Sequence, residues 1–226
     1  SAEAHKANDR VQKCRYYAPE NPFEILKAML LTDAALDSAY VDTAAFDYWK
    51  TFPITDENFS AMISEPTDLE KLYFEIVEML DCKSWVGEDL KITIRRNVPN
   101  EPGRAYAYLS DAGNIVQKSM KVDANEKSRA TRVVCYWDPK PIGKQDDAST
   151  YQSIDMAVDA DAESENEYGD VIEKKIFCRW LRTGIAQYET LATYVRNQIT
   201  RVLFRYRDAE PIIDFQVELK DMDVRT

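Results

Sequence analysis

Asp159, Asp161 and Glu163 alternate along an acidic run as oxygen ligands alternate in a calcium loop. The run carries Asp155, Asp159, Asp161, Glu163, Glu165, Glu167 and Asp170, and no Lys or Arg interrupts it from Gln145 to Glu173. Two features argue against a metal. Ser164 stands where an EF-hand loop needs Gly, and no helical pattern flanks the run. A solvated loop is the ordinary reading, and a calcium site at Asp159, Asp161 and Glu163 is the sharper one. Arg196, Arg201 and Arg205, with Arg207, line one face of a helical pattern and form a docking or anion-binding candidate. The dipole at a helix C-terminus accounts for cations there without any partner. Glu65, beside Pro66, is the best single carboxylate for acid–base work, though a role at the start of a helix explains it more simply.

Other chemistry is missing. His5 is the chain's one histidine and sits in a polar leader, a poor foundation for a Ser-His-Asp triad, a Cys-His dyad or a His-rich metal site. Cys14, Cys82, Cys135 and Cys178 lie far apart, with no Cys-x-x-Cys pair, so zinc-ribbon and thioredoxin-like sites are not available and reduced thiols are expected. The six glycines form no phosphate-binding loop, and the sequence calls for no cofactor. With 29 basic against 40 acidic side chains the formal charge is -11, which repels nucleic-acid phosphates and anionic membranes. No apolar run reaches the length of a membrane span. The chain opens on Ser-Ala and stops at Met222-Asp-Val-Arg-Thr226, which reads as a piece of a longer protein.

The elements that hold these residues centre on Ser64 to Arg96. Thr67 and Glu70 have capping-box spacing, and Leu69, Leu72, Tyr73, Ile76, Met79 and Leu80 recur at helical period. The period then becomes two. Leu90, Ile92 and Ile94 alternate with Lys91, Thr93 and Arg95, and Gly87-Glu88-Asp89 turns this strand back on Ser84-Trp85-Val86. The helix is expected to cover one face of that hairpin. Upstream, Asn21-Pro22 starts a helix with Ile25, Leu26, Met29 and Leu30 buried, and Thr43 to Trp49 forms a second with Phe46 and Trp49 on one side.

Downstream, Asn-Val-Pro-Asn-Glu-Pro-Gly after Arg96 marks a module boundary. Ile115 to Val122 and Lys127 to Trp137 read as paired antiparallel strands, the second with Val133, Cys135 and Trp137 on one side. Tyr151 to Val158 follows, with Ile154, Met156 and Val158 as its buried set. Ile172 to Arg182 buries Ile176, Cys178 and Trp180. A long helix over 184–207 carries Tyr188, Leu191, Val195, Ile199, Val202 and Tyr206 inward, and a last strand turns Ile213, Phe215, Val217 and Leu219 to the core. Trp49, Trp85, Trp137 and Trp180 all fall on apolar sides and read as core; a sugar-stacking platform is the alternative.

The expected fold is therefore α+β. Residues 1–20 are a polar lead-in, 21–110 a helix-plus-hairpin module, and 111–226 a mainly antiparallel sheet packed with the long helix over 184–207.

One further pattern lies in the order of short segments: Asn21-Pro22-Phe-Glu-Ile-Leu, Tyr40-Val-Asp-Thr, Ile63-Ser-Glu-Pro-Thr, the Trp85 hairpin, Val133-Val-Cys-Tyr-Trp, Glu167-Tyr-Gly, Ile176-Phe-Cys-Arg-Trp180 and Phe204-Arg-Tyr-Arg-Asp. This succession resembles structural tail proteins of tailed bacteriophages and prophages, over most of residues 21 to 219. The resemblance implies a non-enzymatic component of the distal tail, at the tip or baseplate hub, and transfers no catalytic residue. It implies partners too: copies of the chain itself, as a trimer or hexamer, and other tail structural proteins, without nucleic acid or membrane insertion. Assembly in the bacterial cytoplasm and then residence in the virion tail follow from it. A surface-binding module for a host glycan or protein is the alternative, and a cell-wall hydrolase a more distant one.

Overall fold

A computed structural model describes residues 14–51, 58–97, 115–116, 118–124, 129–140, 145–160, 171–183, 188–207 and 211–216. The fold is α+β, as the two periods in the sequence predict. The chain divides into two compact units, and neither is a continuous stretch. One comprises Ser1–Arg96, Cys135–Asp155 and Lys175–Gln198; the other comprises Asn97–Val134, Met156–Lys174 and Ile199–Thr226. The expected modules, 21–110 and 111–226, are consecutive, so the two divisions differ.

The first unit opens with strand β1 (Arg15–Glu20), inside what reads as a lead-in, paired antiparallel with β2 (Phe59–Ile63). Helix α1 (Pro22–Ala28) starts as expected: Asn21 Oδ1 accepts from the Phe23 amide, and Pro22 occupies the first turn, where its missing N–H costs nothing. A π-helical turn, Met29–Asp33, extends it. Helix α2 (Thr43–Thr51) buries Phe46 and Trp49. Lys27 ties the two helices together, with Nζ 3.1 Å from Glu24 Oε2 and 2.5 Å from Asp47 Oδ1, while Lys50 Nζ is 2.7 Å from Glu24 Oε1.

Helix α3 (Leu69–Met79) and the hairpin of β3 (Cys82–Val86) and β4 (Ile92–Arg96) form as the sequence predicts, with Ser84 opposite Ile94 and Trp85 opposite Thr93. The helix lies on the hairpin through a 2.8 Å hydrogen bond between the Tyr73 hydroxyl and Ser84 Oγ. The capping box does not form. Asp68 is the N-cap, one residue later than the spacing suggests, and Thr67 Oγ1 donates instead to the Glu65 carbonyl.

Strand β5 (Lys121–Ala124) does not pair with the next strand, contrary to expectation. Its antiparallel partner is β9 (Pro211–Asp214), with Val122 opposite Ile213. Strand β6 (Arg132–Pro139) instead stands between β7 (Tyr151–Val158) and β8 (Glu173–Phe177). As a central strand it buries Val133, Val134, Cys135 and Trp137. Helix α4 (Tyr188–Tyr206) keeps most of its predicted stripe: Leu191, Val195, Ile199 and Val202 are buried and Tyr206 is half-buried, while the Tyr188 side chain lies outside the described residues. Residues of β6, β7, β8 and α4 belong to both units.

Three faces are reversed or opened relative to expectation. On β7 the buried residue is Tyr151, while Ile154 and Met156 are exposed. The cause is Asp155, whose Oδ2 accepts from the Trp137 indole at 2.9 Å and whose Oδ1 is 2.8 Å from Arg196 Nε, fixing its set of side chains inward. Ile213 is exposed and Phe215 only half-buried, and Val217 and Leu219 lie outside the described residues. Trp49, Trp137 and Trp180 are buried, but Trp85 is 44% exposed.

Candidate functional site

Trp85 stands on the most distinctive surface of the first unit. Helix α3 buries Leu72, Tyr73, Ile76, Val77 and Met79, which leaves Phe74 off that stripe and 47% exposed. Its ring meets Tyr73 edge-on at 5.5 Å. Beyond Val86 the hairpin turns through Gly87, whose N–H donates to the Lys91 carbonyl at 2.8 Å and whose carbonyl accepts from Leu90 at 3.0 Å. This turn holds Leu90 in left-handed backbone, φ 61, with its side chain in solvent. Phe74, Trp85, Val86 and Leu90 are thus all exposed, and the first three border a groove of about 380 Å³ closed on its far side by Met29 and Leu30. Its walls are almost wholly apolar, with Glu70 as their charged residue. Such a surface binds apolar groups by exclusion of water.

A second concavity, of about 430 Å³, lies between the connection leading into α3 and the turn before β7. Charged residues line it, but most are engaged within the chain. Arg179 Nε is 3.0 Å from Glu75 Oε2, Lys71 Nζ is 3.8 Å from Asp146 Oδ2, and Lys140 Nζ donates to the Ser149 carbonyl at 2.7 Å. Burial outweighs the Arg179 guanidinium and holds the Glu75 carboxyl above the ordinary carboxylate value. Glu65 lines the rim, exposed, and neither histidine nor cysteine lines the cavity among the described residues.

The remaining candidates are dispersed. Asp159 Oδ2 is 3.6 Å from Arg207 Nε, and the Asp159 amide donates to the Thr131 carbonyl. Asp161 and Glu163 lie outside the described residues, and among the described residues no group of three His, Cys, Asp or Glu side chains is placed to hold a metal. Arg196 is turned to Asp155. Arg201 is exposed on α4, and the Arg205 guanidinium lies 5.6 Å from the centre of the Tyr206 ring.

All four cysteines are free thiols, and Cys82, Cys135 and Cys178 are buried. Burial pushes Cys82 and Cys178 up to about 12 and raises Cys135 as well, which keeps their sulfur protonated and unreactive. Among the described helices none is long and apolar enough to cross a membrane.

The apolar groove escaped sequence reasoning because Trp85 alternates like a core residue. A signal for it was present: Phe74 off the helical stripe, followed by Val86 and Leu90 at the hairpin turn. No protein-family model and no curated protein matches the chain.

Proposed function

We propose that this chain is a non-catalytic structural component of a bacteriophage or prophage tail, in the tip or baseplate-hub region, acting by self-association and by packing against other tail proteins. The observation that carries the reading is the exposed apolar face around Trp85. Phe74, Trp85, Val86 and Leu90 are exposed large apolar side chains on one helix and the hairpin beside it, and clustered apolar surface of this kind is commonly a contact site that association removes from water. The order of segments resembling tail proteins supports the same reading, as does the acidic charge, which limits association to faces that overcome it. A glycan platform would group its tryptophans on an open face, whereas three of the four are buried here.

The test is to purify tailed particles from the cell that encodes this chain and analyse their protein content by mass spectrometry. The reading predicts the chain at a constant copy number per tail, and incomplete tails when its gene is deleted. Complete, chain-free tails would contradict it.

A further inference from the structure

The outer edge of β3 runs beside the Trp85 groove, and its backbone has a defined polarity. Gly87 N–H bonds to the Lys91 carbonyl, so the alternation of an antiparallel pair makes Trp85 with Thr93, and Lys83 with Arg95, the hydrogen-bonded pairs. Cys82, Ser84 and Val86 consequently aim their N–H and C=O groups away from β4. The opposite side of the hairpin follows the same rule: Ile92, facing Val86, sends its carbonyl outward to the Asp42 amide. Val41 and Asp42 cover that outer edge of β4 at Ile92, whereas on the β3 edge the backbone groups of Ser84 and Val86 meet no partner among the described residues and Cys82 beside them is buried.

We infer that two copies of the chain join through this edge, β3 against β3 in antiparallel register about a twofold axis at Ser84. The inference rests on the assembly reading above and names its contact. In this register the two Ser84 residues exchange their outward N–H and C=O groups at the centre of the contact, and Val86 of each copy lies over the end of the strand where Cys82 is buried. Lys83 falls opposite Trp85 of the second copy, an ammonium beside an indole. The contact is isologous, each copy giving and receiving the same patch, and a hexamer built from two trimers contains such axes.

Charge favours this face. The chain carries -11, yet the hairpin from Lys83 to Lys91 balances Lys83 and Lys91 against Glu88 and Asp89. The hairpin's own charges therefore add no net repulsion between two copies. Exposed Trp85 and Val86 belong to the strand that pairs, so apolar surface and strand pairing are continuous in this contact.

The experiment uses the full chain with Cys14 replaced by Ser, because that exposed thiol would cross-link on its own. Ser84→Cys should give a disulfide-linked dimer on mild oxidation, and Lys91→Cys should give little. Val86→Pro removes an outward N–H at an edge position that tolerates proline, so β3–β4 pairing survives while the dimer weakens at least about tenfold. Far-ultraviolet circular dichroism reports whether that variant folds; if it does not, the Ser84→Cys cross-link alone decides. A multimer that neither cross-links at Ser84→Cys nor weakens in Val86→Pro overturns this contact and leaves self-association standing. A chain that stays monomeric at every concentration overturns both.

Discussion

Arg179 Nε lies 3.0 Å from Glu75 Oε2, joining residues 104 apart in sequence, with both side chains nearly out of solvent. The pair fastens α3 to the segment after β8 within one unit. Because burial raises the Glu75 carboxyl above its unfolded value of 4.5, the folded state binds the proton more tightly than the unfolded chain. Stability from this group is therefore present at low pH and declines as pH rises through the folded value. Urea unfolding of the native chain and of Glu75→Gln, compared from about pH 4 to about pH 7, should show the native chain losing ground with pH relative to the variant. A gap that widens in the native chain's favour would contradict the assignment.

The tryptophans separate into two kinds. Trp180 is fully buried, and Trp180→Ala should cost about 3 to 5 kcal/mol in denaturant unfolding. Trp85→Ala, at a position 44% exposed, should cost less than about 1 kcal/mol in the monomer. Equal costs would place Trp85 in the core after all.

Asp155 organises β7 through the Trp137 indole and the Arg196 guanidinium. Removing the exposed Arg196 side chain should change stability by less than about 1 kcal/mol. Asp155→Ala takes away the acceptor of a buried indole and should cost about 1 to 3 kcal/mol. If Arg196→Ala proved the more damaging change, the inward setting of Asp155 would need another cause.

Thiol titration gives a direct count. In the folded chain only Cys14 should react with an aromatic disulfide reagent at neutral pH, and in denaturant all four thiols should. Rapid reaction of Cys82 or Cys178 in the native state would show that burial does not protect them.

Local chemistry was legible in the sequence, and partnership between distant segments was not. Asn21 and Pro22 start α1 because a cap acts on the adjacent turn, and Val133 and Cys135 turn inward on β6 as period two predicts. Period two does not say which face meets the core. Ile154 and Met156 look buried by composition, yet Trp137 and Arg196, distant in sequence, hold Asp155 inward and turn them out. Strand pairing is non-local in the same way: Lys121–Ala124 finds Pro211–Asp214 rather than its neighbour. The capping box failed by one position: α3 starts after Asp68, whose side chain makes no capping bond, and Thr67 Oγ1 donates to the Glu65 carbonyl instead. Phe74, which borders the groove at Trp85, falls off the helical stripe, while period two reads Trp85 and Leu90 as core although both are exposed.

Light scattering across a wide concentration range, repeated with Trp85→Ser and at raised salt, tests the central claim that this face drives assembly. The account predicts a discrete multiple of the 26.1 kDa chain, strengthened by salt because screening reduces the repulsion between acidic copies, and returned to the single-chain mass by Trp85→Ser. A mass of one chain at every concentration, or an assembly that Trp85→Ser leaves intact, would contradict it.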